Sequence, residues 1–406
     1  MLLSLAWRNL WRQPRRTALN LLSIAFASTV MVFLLSFQLG TYATMKENLL
    51  RILDGFAQVQ PQGYQADPDL KKRIQDPEQL MAGLKKQFAG VAMAPRATTF
   101  AILSLGEKSV GAALMGVDPA REVQVTRLHS SMVQGRYLEA GDSDAIVLGS
   151  SLARNLGVKA GDSLTLLGEG LDGSIAADVL EVVGIFSTGT ADIDRQFSQM
   201  PLRRFQSTFA MGKAVNLVAL SGPSLAAINQ ALPALVKALQ GQGLAVQPWQ
   251  ALEPGMDGAI SLDLNTSLMW YVSLVIVVVF IVLNTLLMSV LERTREFGVL
   301  LAIGMGPGRI GAMIWLELML LAFFGLALGI AIGGAITLVT GHYGMSMPGA
   351  EAIFSQWGLP GKLYPRLSLL SLSAGPGAMA LCIFLSGFIP YLKVRRLAPV
   401  DAMRAA

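Results

Sequence analysis

The sequence predicts a four-span α-helical membrane protein with a large α+β domain inserted between the first and second spans. Three observations carry this. The 406 residues are 53% hydrophobic and only 15% charged, where soluble domains carry about 25% charged residues. Four stretches are nearly free of charge, and each supplies the ~20 apolar residues needed to cross a bilayer. Between the first two of them, the pattern changes to short β-rich runs alternating with helical ones.

No Asp, Glu, Lys or Arg lies between Arg16 and Lys46, between Asp263 and Glu292, or between Arg366 and Lys393. Between Arg309 and Glu351 there is only Glu317. The spans are therefore placed at 17–40, 267–291, 310–338 and 368–392, with a short loop at 339–367 and a tail at 393–406. Their basic flanks hold Arg8, Arg12, Arg15, Arg16, Arg293, Arg295, Arg309, Lys393, Arg395, Arg396 and Arg404, against Glu292, Glu296 and Asp401. The whole chain is only +5. Lys and Arg concentrate on cytoplasmic loops, so both termini are expected in the cytoplasm and residues 41–266 outside. Topology accounts for the pI of 9.3, and no nucleic-acid partner is implied.

Residues 1–16 form an interfacial segment. Leu3, Ala6, Trp7, Leu10 and Trp11 recur at helical spacing opposite Arg8, Arg12 and Arg15, and Pro14 permits a bend into the first span. This is either an anchor or a moving elbow. Ala25-Phe26-Ala27 has the form of a signal-peptidase site, but the apolar run continues to Gly40, so no cleavage is expected. The domain at 41–266 carries strand patterns at 56–60, 99–105, 110–115, 145–148, 163–167, 179–187 and 215–221. Helical patterns lie near 68–88, 150–156, 201–210 and 224–240, in a mixed domain of one or two lobes. The single Cys382 lies in the fourth span, so no intramolecular disulfide forms and the domain relies on its own core. In the third span, Gly325, Gly329 and Gly333 stand four apart on one face, suited to close helix packing within the subunit or between subunits.

Catalytic signatures are missing. His129 and His342 stand alone, and no metal-ligand or nucleophile motif occurs. Gly304-x-Gly306-x-Gly308 lacks the strand and the Lys-Ser/Thr pair of a phosphate loop and reads as a helix stop. Glu317 is costly at membrane depth. Either it pairs with Arg309 or a nearby loop, or it is a coupling residue that changes partner. The loop ERTREFGVLLAIG (292–304) is richer than a turn requires. Phe297, Leu300, Leu301 and Gly304 form an apolar stripe at i, i+3, i+4 and i+7, and Glu292 can pair with Arg295. The segment is a short amphipathic helix that either lies on the membrane or docks into a protein groove.

ERTREFGVLLAIGMGPGRI (292–310) resembles the cytoplasmic loop of FtsX-like, MacB-type (type VII) ABC permeases, written E-[RK]-x-x-E-[IFV]-[GA]-[VIT]-L-x-A-x-G. AWRNLWRQPRRTALNLLSIAFA (6–27), WLELMLLAFFGLALGIAIGG (315–334) and Pro399-x-x-Ala402-Met403-Arg404 are similar to other parts of the same family, in the same order. So are LMGVDPA (114–120), IVLGSSLARNLGVKAGD (146–162) and VVGIFSTG (182–189), which resemble its periplasmic core. The layout is similar to that of LolC/LolE-type lipoprotein-releasing permeases, although GEGLDGSIAAD (168–178) is short for a carrier-recruiting hook.

The resemblance implies a multi-pass protein of the bacterial inner membrane, with a periplasmic domain and no catalytic site. Its expected partners are a separate cytoplasmic ABC ATPase dimer, a second permease subunit (identical or homologous), membrane lipids, and a periplasmic carrier, lipoprotein or membrane-fusion protein. No cofactor is expected on this chain; ATP and Mg belong to the ATPase. Glu292, Arg293, Arg295, Glu296, Phe297, Gly298, Leu300, Leu301 and Gly304 become the expected ATPase-coupling residues, with docking favoured over a surface helix. The expected function is mechanotransmission that extracts or exports a lipoprotein or other amphiphile; the alternative is activation of a periplasmic protein without transport. Phe33, Phe37, Leu268, Met269 and Tyr271, at the apolar ends of the first two spans, are the candidate substrate entrance.

Overall fold

The computed structural model describes residues 2–346, 348–349 and 362–395. The Pro399–Arg404 motif, Arg396 and residues 350–361 lie outside these residues. The chain divides into two compact units. Residues 2–42, 260–346 and 362–395 make one, and residues 43–259 the other.

The first unit is helical. α1 (Leu2–Leu10) precedes α2 (Pro14–Ile52), whose Pro14 opens the helix, where a missing N–H costs nothing. The interfacial face divides: Ala6 and Leu10 are buried, while Leu3, Trp7 and Trp11 are exposed, with Trp11 in the turn beyond α1. The inserted domain carries α3 (Pro77–Gln87), α4 (Pro119–Val125), α5 (Ser150–Leu156), α6 (Ala191–Gln196), α7 (Leu202–Thr208), α8 (Leu225–Ala238) and α9 (Trp249–Leu252); α10 (Pro254–Glu292), α11 (Thr294–Ala302) and α12 (Pro307–Tyr343) follow it, and Leu369–Ser386 with Phe388–Arg395 completes the first unit. Among the described residues, four helices are long and apolar enough to cross a membrane.

The expected limits at 41 and 266 fall inside continuous helices. α2 and α10 are each 39 residues long, about 58 Å at 1.5 Å per residue, against a hydrocarbon core of ~30 Å. Lys46 and Asp263 end the uncharged runs without ending the helices, which carry Arg51 and Asp257 as well, because charge limits lipid immersion and not helicity.

The glycine ladder of α12 meets α2 of the same chain. A Cβ on Gly325 would lie 2.8 Å from Ile24 Cγ2, and one on Gly333 would lie 2.9 Å from the Thr29 carbonyl. Thr29 Oγ1 donates to the Gly329 carbonyl at 3.2 Å. The close approach is thus within the subunit.

The second unit is built on a ten-stranded sheet. Its strands are β1 (Ala57–Pro61), β2 (Ala92–Leu105), β3 (Lys108–Val117), β4 (Met132–Gly135), β5 (Ala145–Gly149), β6 (Ser163–Glu169), β7 (Ile175–Phe186), β8 (Phe197–Pro201), β9 (Leu217–Ser221) and β10 (Leu244–Pro248). The pairings β2–β3–β8–β5–β7–β6–β2 close on themselves, so six strands form a ring. Leu103, Leu148, Leu164, Leu166, Leu180 and Val182 belong to the buried core of this part of the sheet. The 14-residue β2 also continues the sheet outward. Ala92–Arg96 pairs with β9, while Ile102–Ser104 pairs with β6. The expected one or two lobes are therefore two parts of one sheet. The β6–β7 link is only Gly170–Ser174, closed by the Gly170 N–H on the Ser174 carbonyl at 2.8 Å.

Arg96 on β2 is fully buried. It makes a two-pronged pair with Glu122, Nη2–Oε1 at 2.6 Å and Nε–Oε2 at 3.0 Å. Glu122 lies on the helix Pro119–Val125. Thr126 donates to the same carboxylate at 2.7 Å.

Candidate functional site

The segment 292–306 is shaped by its own backbone chemistry. α10 ends at Glu292, and Thr294 Oγ1 caps the freed carbonyls of Val290 and Leu291 at 3.0 and 2.8 Å. α11 ends at Ala302. Gly304 takes φ +98°, a left-handed geometry that glycine adopts without strain, and its N–H reaches the Leu301 carbonyl at 3.0 Å. Pro307 then starts α12.

The apolar stripe faces inward. Phe297 is 1% exposed and Gly298 is buried. Phe297 belongs to the core of the spanning helices with Val290, Ile310 and Met313, and Leu300 and Leu301 pack against that core. Gly304 lies beyond the helix and is exposed. The opposite face carries Arg295, Val299, Ala302 and Ile303, with Val299 at 48% and Ile303 at 78% exposure. Phe297, with Leu300 and Leu301 half-buried beside it, thus anchors α11 to its own chain, and the face with Arg295, Val299, Ala302 and Ile303 is the exposed one. Periodicity finds an amphipathic helix but does not say what its apolar side meets.

The charges also pair differently from expectation. The break at Arg293 puts Glu292 and Arg295 on different helices, so their i, i+3 pair does not form. Glu292 instead pairs with Arg16 at 2.7 Å, which also donates to the Thr285 carbonyl. Glu296 accepts from Arg12 at 3.2 and 3.3 Å and from Arg293 at 3.3 Å. Glu317 accepts from Asn9 at 2.6 Å and from Arg293 at 3.4 Å. Arg309 is not its partner, because two turns of one helix separate them by roughly 12 Å. Asn9, Arg12, Arg16, Arg293, Glu296 and Glu317 thus surround a polar cavity of about 190 Å³. The exposed pairs each contribute about 0–1 kcal/mol. Arg293 and Glu317, 14% and 10% exposed, are the better protected pair. Sequence reasoning missed Asn9, an uncharged residue inside the 6–27 stretch.

The five expected entrance residues do not form one surface. Phe33 stacks on Phe37 at 6.2 Å. Phe37 and Tyr271 line a cavity of about 330 Å³, and Leu268 and Tyr271 line a second of about 360 Å³. Phe33 and Met269 line neither, and Met269 is 72% exposed. The sequence reading passed over Gln38, Tyr42, Asp263 and Ser267, which are hydrogen-bonded together beside Tyr271. In the sequence, Asp263 marks only the end of an uncharged run. Among the described residues, no group of His, Cys, Asp and Glu could hold a metal ion.

Residues 17–237 match the model of the MacB-like periplasmic core domain, and residues 268–399 that of the FtsX-like permease C-terminal region. The chain is 23% identical over 328 residues to the lipoprotein-releasing system transmembrane protein LolC of Neisseria meningitidis serogroup B, covering 78% of this chain and 76% of LolC. It is 30% identical over 122 residues to the macrolide export ATP-binding/permease protein MacB of Neisseria meningitidis serogroup A, covering 30% of this chain and 16% of MacB. Among solved structures, the periplasmic region of MacB from Actinobacillus actinomycetemcomitans is 14% identical with a TM-score of 0.35, covering 51% of this chain and 95% of that one.

Proposed function

The chain belongs to the FtsX-like, MacB-type permeases of the ABC transporters and is a multi-pass membrane protein with a periplasmic domain; from this premise we propose that it is the permease subunit of a type VII transporter driven by a separate ATPase. Both termini and the 292–306 segment are cytoplasmic in this reading. ATP and Mg bind the partner ATPase. Closure of that ATPase pushes on α11, and the movement passes through α2 and α10 to the periplasmic domain, which extracts or exports an amphiphile such as a lipoprotein. A second permease subunit completes the assembly.

The observation that carries this reading is the fastening of α11. Its inner face is buried in the spanning helices through Phe297, and its N-terminal end is tied by the ion pairs of Glu296 with Arg12 and of Arg293 with Glu317, while Arg16 holds Glu292 at the preceding end of α10. A helix held this firmly can transmit a push rather than absorb it. Arg295, Val299, Ala302 and Ile303 remain for the ATPase.

Val299→Asp and Ile303→Asp test it. Each places a charge in the centre of the docking face, where a lost anchor costs about 2 kcal/mol or more, or roughly thirtyfold in affinity. The expected result is loss of ATPase co-purification and of ATP-dependent function, with membrane insertion and thermal stability unchanged. Full coupling in both variants refutes the assignment.

A further inference from the structure

We infer that the first, second and fourth spanning helices hold a two-part site for an amphiphile with a cationic nitrogen head and an alkyl chain. The inference rests on the entrance assigned to this region above, and it names the chemistry that the entrance selects. The head compartment is the cavity of about 330 Å³ lined by Phe37, Tyr42, Trp270, Tyr271, Gln38 and Asp263. Beside it lies the cavity of about 360 Å³ whose lining is apolar apart from Gln38 and the Tyr271 hydroxyl. Leu35, Leu268, Val272, Val275 and Leu370 are among its walls, and Gln38 and Tyr271 line both compartments. Each volume falls within the ~300–1,000 Å³ of small-molecule sites.

The head compartment has the makings of a cation site. Aromatic faces attract ammonium groups, and four of the residues around Asp263 are aromatic. Neither Lys nor Arg lines the cavity. The Asp263 carboxylate is held in place: Tyr42 and Gln38 donate to its Oδ2, Gln38 also donates to Ser267 at 2.6 Å, and Tyr271 donates to Gln38 Oε1 at 3.1 Å. Both bonds to Asp263 fall on one oxygen, and a carboxylate accepts more than two. An anionic head would meet this charge unfavourably, whereas a cation completes it.

The order of the compartments along the helices agrees with an amphiphile lying along the membrane normal. Asp263 stands one turn before the span expected to begin at 267. The apolar compartment reaches further in, to Met31 on α2 and to Val275 and Ile276 on α10. Head and chain would thus sit at the interface and in the hydrocarbon.

The test uses the full chain in a neutral maltoside detergent with two photoreactive probes. One is dodecyltrimethylammonium and the other dodecyl sulfate, both with a diazirine on the same chain carbon. Mass spectrometry maps labelling to 264–276 and 370–382. The trimethylammonium probe is expected to label both segments at concentrations about tenfold lower than the sulfate probe, and Asp263→Asn or Trp270→Leu to remove about that advantage. Asp263→Glu retains it, which separates a charge effect from misfolding, and each variant is checked for monodisperse elution. Equal labelling by both heads, or labelling indifferent to Asp263→Asn in a monodisperse variant, overturns the inference. Such an outcome leaves the permease assignment intact, because that stands or falls with Val299 and Ile303.

Discussion

The buried pair between Arg96 and Glu122 offers a prediction whose size can be worked from the geometry. Arg96 is 0% and Glu122 1% exposed. Glu122→Ala removes both charge-assisted bonds and the acceptor of Thr126. The guanidinium is then left with only the Asp54 carbonyl, at 3.4 Å from Nη1. Stranding a buried charge in this way costs about 3–5 kcal/mol, a large part of the ~5–15 kcal/mol that holds a typical domain together. Removing both charges avoids the stranding, so Arg96→Met with Glu122→Leu should be near neutral or more stable than wild type by about 1–4 kcal/mol. Hydrogen exchange of β2 and β9 peptides in the full chain, followed by mass spectrometry, measures the opening free energy. A Glu122→Ala loss below about 1 kcal/mol, or a double variant worse than the single one, would refute the reasoning built on that range.

Two further outcomes are expected. Asp54 shares a hydrogen bond with Glu253, and burial followed by the Glu253 charge pushes its carboxyl up to about 7. A carboxyl raised in the folded state stabilises fully below about pH 4 and loses that contribution as pH rises through 7. Opening of residues 43–259 should therefore become easier across this window, and Asp54→Asn should flatten the dependence in the same exchange experiment. In α12, Gly329→Leu would drive a side chain into Ser28 and the Ala25 carbonyl. It should cost about 1–3 kcal/mol as overpacking and lower the melting temperature in detergent. Gly334→Ala, whose Cβ meets only Leu372 at 3.9 Å, should not.

The spans were legible because lipid excludes charge, and that exclusion shows residue by residue. The strands at 57–61, 145–149 and 163–169 were legible because each is a short β-rich run between turn residues. Three strands were not. Met132–Gly135 is a four-residue edge with three exposed residues. Phe197–Pro201 buries Ser198 and Gln199 and is held by parallel pairing with β3, a non-local partner that leaves no periodic trace. Leu244–Pro248 is half-buried throughout. At the 292–304 segment, the residues were identified and the face was not, since the surface that covers Phe297 comes from helices far away in sequence. Glu317 stood out as a charge in a span, but Asn9, which bonds it from 308 residues earlier, had no feature to single it out.

β1 follows α2 by a few residues, β10 precedes α10 by a few, and the two strands are paired antiparallel from Ala57↔Pro248 to Pro61↔Leu244. The chain thus enters and leaves this sheet on adjacent strands, about 4.8 Å apart. A module with neighbouring ends behaves as a cassette: it can be lengthened, shortened or exchanged between two helices without asking the flanking chain to travel. The periplasmic domain can therefore diversify its loops while the four spans and the 292–304 segment keep one design.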